Sequence, residues 1–348
     1  VQLDGVPVYN QSHLFGLLDS FNSDVLQTSG FYYDITPAQV STPLGGTLSL
    51  ITKTGSLNRF NVSTGLSNTS YRATVDGPII KGKASFLLSG RVSYMNELNW
   101  FNNSDLIEWE LDVGRPQSEL ENEIDLADTA LETGDYDASF HDLHAKLNFE
   151  HDDGSRILVS AYSGSDNIRQ DYNRCLNTQT RRPCLRSSAN QNNALVDLNT
   201  RNEWGANAVS LQFQKPISRD LFSQTTVGFT SYDLYYAKDD FTFSSADGNP
   251  LNFFLLPLII ENALNQTQIS QSFDARLENL NMTNGVDFIY YQVDYKQNSL
   301  ERVNLAERNS SSQLDFFNQI DFTRNPFFNL YIGNRFHYFT DGSYMRWS

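Results

Sequence analysis

The sequence predicts a mainly β chain: a transmembrane antiparallel β-barrel over residues 56–348, with a small α+β unit, residues 1–55, held inside its lumen. Three observations predict it. From Asn58 onward apolar and polar residues alternate with period 2, which puts unlike side chains on the two faces of each strand. The alternating stretches run for roughly ten residues or more, the length at which a tilted strand crosses a bilayer, and Tyr and Phe recur near their ends. The connections between them alternate short and long, as in barrels whose turns are tight on one side of a membrane and extended on the other.

In the N-terminal unit, Leu3-Asp4-Gly5-Val6-Pro7-Val8-Tyr9 reads as two strands joined at an Asp-Gly turn, with Pro7 favouring an edge. A short helix is predicted from His13 to Leu18, then a turn at Asn22-Ser23-Asp24. Val25 to Thr28, an aromatic patch at Phe31-Tyr32-Tyr33 and a loop holding Pro37 and Pro43 follow. The unit closes on Gly45-Gly46-Thr47-Leu48-Ser49-Leu50-Ile51-Thr52-Lys53-Thr54-Gly55, a short strand bounded by glycine at both ends.

About eleven strands are predicted beyond it, at roughly 57–66, 69–77, 84–94, 140–150, 155–168, 202–215, 221–236, 267–280, 285–298, 311–324 and 327–340. Phe86, Leu88, Gly90, Val92 and Tyr94 share one face against Ser85, Ser89, Arg91 and Ser93, with Leu87 the exception. Leu143, Ala145, Leu147 and Phe149 oppose Asp142, His144, Lys146 and Asn148. Phe273, Ala275 and Leu277 oppose Asp274 and Arg276. Ile289, Tyr291, Val293 and Tyr295 are read as an apolar face against Gln292, Asp294 and Lys296, and Leu330, Ile332, Phe336 and Tyr338 against Arg335 and His337. A basic residue at Leu88 or Val92 is expected to impair assembly, and one at Ser89 to be tolerated. Long polar connections fall at 95–139, 170–200 and 237–266.

The formal charge is −16, from 25 basic and 41 acidic residues, which argues against a nucleic-acid partner. No run reaches the ~18 apolar residues of a membrane helix. Cys175 and Cys184 are the only cysteines; a disulfide closing the small loop between them suits an oxidising compartment, against the alternative of two unpaired thiols. No zinc site is expected from two cysteines. His141 and His144, three apart on a strand, point to opposite faces and make a poor metal pair. The acidic run from Glu119 to Asp137 lacks the spacing of a calcium loop and reads as a solvated segment. The apolar octet that begins Phe253, Phe254, Leu255, Leu256 packs on neighbouring loops, contacts a partner at the barrel mouth, or lines a ligand site. Nucleophile-elbow, Walker, dinucleotide and zincin motifs are missing, and nothing supports an enzyme or a cofactor.

The segments LDGVPVYNQSHLFGLLDSFNSD and GGTLSLITKTG, in that order, resemble the plug domain of TonB-dependent outer-membrane transporters, most of all those of the Bacteroidetes type. The family pattern places an aromatic before the Gly-Gly, where this chain has Pro43-Leu44. The resemblance implies a plug within a barrel of about 22 strands, about half of them in this chain, in the outer membrane of a Gram-negative bacterium. It implies uptake of a scarce solute driven through TonB, ExbB and ExbD, with a lipoprotein lid or other envelope partner above the loops. On this reading Tyr9, Asn10, His13 and Arg91 face the ligand cavity, against the alternative of a plug–wall contact with Arg91 or Lys146. Gly45, Gly46, Lys53 and Gly55 tether the plug to the first wall strand. The rival readings are a non-transporting barrel that serves as a docking platform, and a soluble β-rich carbohydrate-binding module.

Overall fold

The computed structural model describes residues 1–10, 12–33, 36–40, 46–95, 133–177, 193–245, 258–278, 280–299, 305–322, 330–341 and 344–347. In the N-terminal unit β1 (Gln2–Leu3), β2 (Val6–Pro7), β5 (Leu26–Tyr32) and β6 (Thr47–Thr52) form a sheet in the order β2-β1-β6-β5, with β1 parallel to β6. Asp4 (φ 47°) and Gly5 (φ 83°) make the two-residue turn between β1 and β2, where Leu3 pairs with Val6, as the Asp-Gly signal predicts. The helix predicted over His13–Leu18 is replaced by a strand pair, β3 (Ser12–His13) with β4 (Leu18–Asp19), around a 3-10 turn at Leu14–Gly16. The physical reason is that the backbone N–H of Leu14 donates to the Asp166 carboxylate at 3.0 Å, while Leu14 (φ 50°) and Phe15 (φ 58°) are left-handed. No α-helix occurs among the described residues.

The remaining strands form one antiparallel meander of twelve, paired in sequence order. They are β7 (Asn61–Leu66), β8 (Ser70–Ile80), β9 (Ala84–Ser93), β10 (Thr133–Glu150), β11 (Arg156–Asn177), β12 (Asn193–Pro216), β13 (Leu221–Ser245), β14 (Leu258–Arg276), β15 (Asn281–Ser299), β16 (Leu305–Phe322), β17 (Leu330–Phe339) and β18 (Tyr344–Trp347). The predicted count of eleven lacked β18. The middle strands also run farther toward the long connections than predicted: β12 starts at Asn193 where 202 was expected. There both faces carry polar residues, so backbone pairing such as Asp171↔Asn199 and Asn199↔Asp239 continues after the hydrophobic alternation has ended.

This sheet wraps the N-terminal unit. Asn22 bonds Ser89 on β9 and Ala38 bonds Arg335 on β17. Eight inter-strand spacings of ~4.8 Å make about 38 Å if flat, whereas a 50-residue unit measures about 25 Å across. One unit touches both strands only because the sheet curves around it. Glycine helps: a Cβ at Gly228 would stand 2.1 Å from Cγ1 of Val6.

Register sorts the two faces. Phe86, Leu147, Val159, Leu211, Val227, Ile269, Phe288, Leu314 and Tyr338 are successive cross-strand partners from β9 to β17, an unbroken apolar row on the outer face. The adjacent inward row runs Leu87, Lys146, Ser160, Ser210, Gly228, Gln268, Ile289 and Gln313. Leu88 is 49% exposed and Leu87 is 1% exposed, so the exception in the alternation is a buried leucine on the inward face.

Two expectations are corrected. Ile289, Tyr291, Val293 and Tyr295 lie on the inward face, in rows with Lys146 and with Tyr162, and Phe288 and Tyr290 face outward. The run Phe288-Ile289-Tyr290-Tyr291 is apolar at every position, so alternation alone does not choose a face. Ser89 is inward, as expected, but only 7% exposed and bonded to Asn22 and Thr74 at 2.8 Å; it has no room for the lysine or arginine that was expected to fit.

Candidate functional site

The charged side chains of the inward face gather where the N-terminal unit meets the wall, in three knots. The first is built on Asp4, whose place in the turn aims its carboxylate past β6 at the wall. Oδ1 accepts from the Thr52 N–H (3.0 Å) and from Lys146 Nζ (2.9 Å); Oδ2 accepts from Thr52 Oγ1 (2.6 Å) and Ser160 Oγ (2.7 Å). The Asp4 carbonyl accepts from Gln212 Nε2 at 2.6 Å, and the Asp4 N–H donates to Leu50. Lys146 also donates to the Thr52 carbonyl at 3.0 Å. Burial alone would raise the Asp4 pKa; the Lys146 ammonium and the Thr52 donors overturn that and hold it below the usual carboxylate range. One turn residue thus ties β6 to β10, β11 and β12.

The second knot holds His13, which is 0% exposed. Nδ1 lies 2.9 Å from Asp166 Oδ2 and Nε2 lies 2.8 Å from Asp142 Oδ1. A ring with both nitrogens on carboxylates is an imidazolium. Burial pushes its pKa down, and the hydrogen bonds and charges of Asp142 and Asp166 outweigh this and raise it to about 9. Asn10 donates to Asp166 at 3.1 Å, Arg91 Nε donates to Asp142 at 2.6 Å, and Arg91 also reaches the Asp19 carbonyl. The His13 ring stacks on Phe140 with centroids 4.4 Å apart. In the third knot Arg335 pairs with Asp315 and Asp287 on the wall and donates to the Ala38 carbonyl at 3.0 Å, while the Ala38 N–H donates to Gln319 at 2.9 Å.

The structure therefore brings Asn10, His13 and Arg91 together, but as contacts between the N-terminal unit and the wall; His13 and Asn10 are buried. Tyr9 is half-buried with its hydroxyl on Gln266. An exposed aromatic at this end of the unit is Phe15, two positions after His13, 53% exposed, left-handed and tilted against Trp204 at 4.7 Å. Sequence reasoning passed over Phe15 because its strained backbone has no sequence signature. It also passed over Asp4 as a charge centre, although the turn itself was legible. The acid–base partners of Lys146 and Arg91 depend on register between distant segments.

The expected tether is pinned at each step. Lys53 donates from its N–H to Val25 (2.8 Å) and from Nζ to Asp24 (2.6 Å), Thr54 accepts from Ser85 Oγ at 2.8 Å, and the Ser56 N–H donates to Asp76 at 2.8 Å. Gly46 (φ 134°) lies against the Tyr32 carbonyl, 2.8 Å from where its Cβ would stand. At Gly55 (φ 79°) a Cβ would lie 2.3 Å from the Phe86 carbonyl oxygen. Gly55→Ala is expected to cost more than the ~1–2 kcal/mol of a left-handed alanine, because β9 must also move; a fall in the urea midpoint and in assembled yield checks this. Gly45, Cys184, the Glu119 to Glu132 part of the acidic run, and Phe253, Phe254, Leu255 and Leu256 lie outside the described residues, so the proposed Cys175–Cys184 pairing does too. His141 faces outward and His144 inward, as three-residue spacing on a strand dictates.

A cavity of about 490 Å³ is lined by the outward cross-strand row Asn167-Glu203-Tyr235-Glu261-Lys296 and the next outward row, together with Asp166, Trp204, Leu234 and Asn262 between them.

No family model and no curated protein sequence matches the chain. Among solved structures the chain is similar to the siderophore receptor PiuA from Acinetobacter baumannii, with a TM-score of 0.54 over 100% of this chain at 9% identity. The siderophore receptor PirA from Acinetobacter baumannii aligns over 97% of this chain and 72% of its own, with a TM-score of 0.22 and 9% identity. This chain spans about half, 52%, of the length of the PiuA chain. At that identity the likeness is one of fold alone: the chain shares an antiparallel β-barrel fold with about half of the PiuA chain.

Proposed function

We propose that the chain supplies plug (residues 1–55) and barrel wall (residues 56–348) to a TonB-dependent transporter that takes up a scarce solute across the bacterial outer membrane. The observation that carries this reading is the pairing of an unbroken apolar outer row with an inner face that grips a separate unit by buried ion pairs. An apolar outside suits lipid. Polar contacts inside suit a seal that water can take over when the unit is pulled, because each broken bond is replaced by one to solvent.

The N-terminal plug motifs support TonB, with ExbB and ExbD, as the source of the pull. The fold shared with siderophore receptors makes a ferric siderophore the first solute to test. Phe15 and Trp204 are the proposed floor of the ligand cavity, where an exposed aromatic is held in a strained backbone. A lipoprotein lid over the loops remains part of the proposal, on the family resemblance alone. Uptake of labelled ferric siderophore by cells with and without TonB tests the reading: TonB-dependent uptake is expected, and binding without uptake favours the docking platform.

The lipid assignment has its own test. Leu88→Arg, on the outer face, is expected to cost about 2–4 kcal/mol of assembly near the bilayer midplane. Measured as the fraction of heat-resistant, membrane-assembled protein, it should fall well below Leu88→Ala. Equal assembly of the two variants contradicts a lipid-facing Leu88.

A further inference from the structure

Between the first two knots lies a small cavity of about 10 Å³, lined by the polar side chains of Asn22, Ser89, Asp142, His144 and Tyr162 together with Leu3, Phe21 and Val25. That volume matches about one water molecule, and a water also needs two to four polar partners. His144 is 6% exposed, and its Nδ1 has no hydrogen-bond partner among the described residues.

The proton inventory fixes what that nitrogen needs. Ser160 Oγ donates its single proton to Asp4 Oδ2 at 2.7 Å. The 3.2 Å contact from His144 Nε2 to Ser160 Oγ must then have the ring as donor. In the neutral ring Nδ1 is left as a buried acceptor, which is costly without a donor. The nearest side chains offer little: Asp142 is an acceptor already bonded to His13 and Arg91, and Asn22 Nδ2 donates to Ser89 at 2.8 Å. A water supplies two donors at once.

We propose that this cavity binds one water, which donates to His144 Nδ1 and to the Asp142 carboxylate. It closes a continuous path from Asp4 through Ser160 and His144 to Asp142 and His13, so that the Asp4 and His13 knots release as one cooperative unit. The hydration site concerns the docked state and stands apart from the transport reading; the cooperative release rests on the unit being able to undock.

The wild-type protein tests the site directly. A structure at about 2 Å or better should show a single water within hydrogen-bond distance of His144 Nδ1 and Asp142, and ¹⁵N NMR of histidine-labelled protein should show His144 as the Nε2–H tautomer with a hydrogen-bonded Nδ1. A dry cavity, or a free Nδ1, overturns it. Coupling is read from a double-mutant cycle of Asp4→Asn and His13→Gln, followed by the fluorescence of Trp204, which rests on Phe15 of the undocking unit. The combined effect on the undocking equilibrium should depart from the product of the single effects by at least about twofold, and the departure should vanish in a His144→Leu background. Independent effects in the wild type, or coupling unchanged by His144→Leu, contradicts the bridge while leaving the transport proposal intact.

Discussion

Lys146→Met is expected to undock the N-terminal unit more than any other single change at the interface. The Asp4 carboxylate would lose its cationic partner Lys146 while remaining 4% exposed, with Thr52 and Ser160 left as neutral donors. Stranding one member of a buried ion pair costs about 3–5 kcal/mol. Asp4→Asn should be similarly costly, because it strands the ammonium. The double variant, Asp4→Asn with Lys146→Met, should recover a large part of the loss, since no buried charge then lacks a counter-charge. Urea titration of the purified protein, with Trp204 fluorescence as the readout, measures all three. The pH dependence has a defined sign. The folded Asp4 pKa is depressed, so its contribution is present above the unfolded carboxylate pKa and is lost as pH falls through the lower folded value.

The second large effect is the alkaline loss of the His13 contact. The folded pKa of about 9 lies above the ordinary 6.5. Its contribution is therefore fully present below about 6.5 and is lost as pH rises through 9. A gap of that size corresponds to roughly 3 kcal/mol at ~1.36 kcal/mol per unit. His13 lies in the N-terminal unit and not in a wall strand, and its buried ring is held between Asp142, Asp166 and Phe140. Docking in the wild type should weaken between pH 7 and pH 10, whereas His13→Gln should start weaker and change little over that range. Parallel pH profiles for the two proteins contradict an imidazolium bridge.

The fold was legible where chemistry repeats locally. The Asp4-Gly5 turn and the alternation of Leu143 to Phe149 with Asp142 to Asn148 carried their own signals, and the structure agrees. It was illegible where both faces carry the same texture. Ile289 to Tyr291 is apolar throughout, and the upper halves of β11 to β13 mix polar and apolar residues without a strict alternation, so neither the face nor the strand ends show in the pattern. The short helix read into His13–Leu18 failed for another reason. Propensity favoured a helix, but Asp166, more than 150 residues away, takes the Leu14 N–H and holds His13 in an extended backbone. The same distance hid the site. Arg91 and Lys146 were recognisable on the polar strand faces and His13 as a candidate cavity residue, yet which carboxylate each meets is decided by the register of β9, β10 and β11.

The central claim is that residues 1–55 form a plug that parts from this wall along a polar interface. A disulfide across the third knot tests it most directly. A Cβ at Gly333 would stand 3.2 Å from the Ala38 Cβ, close to the ~3.8 Å Cβ separation of a disulfide. Ala38→Cys with Gly333→Cys, in the intact protein in a planar lipid bilayer, should pass urea-induced conductance steps when reduced and none when oxidised, with the steps restored by reductant. Equal conductance in the oxidised and reduced states would contradict it, since the current would then not depend on the plug leaving the wall.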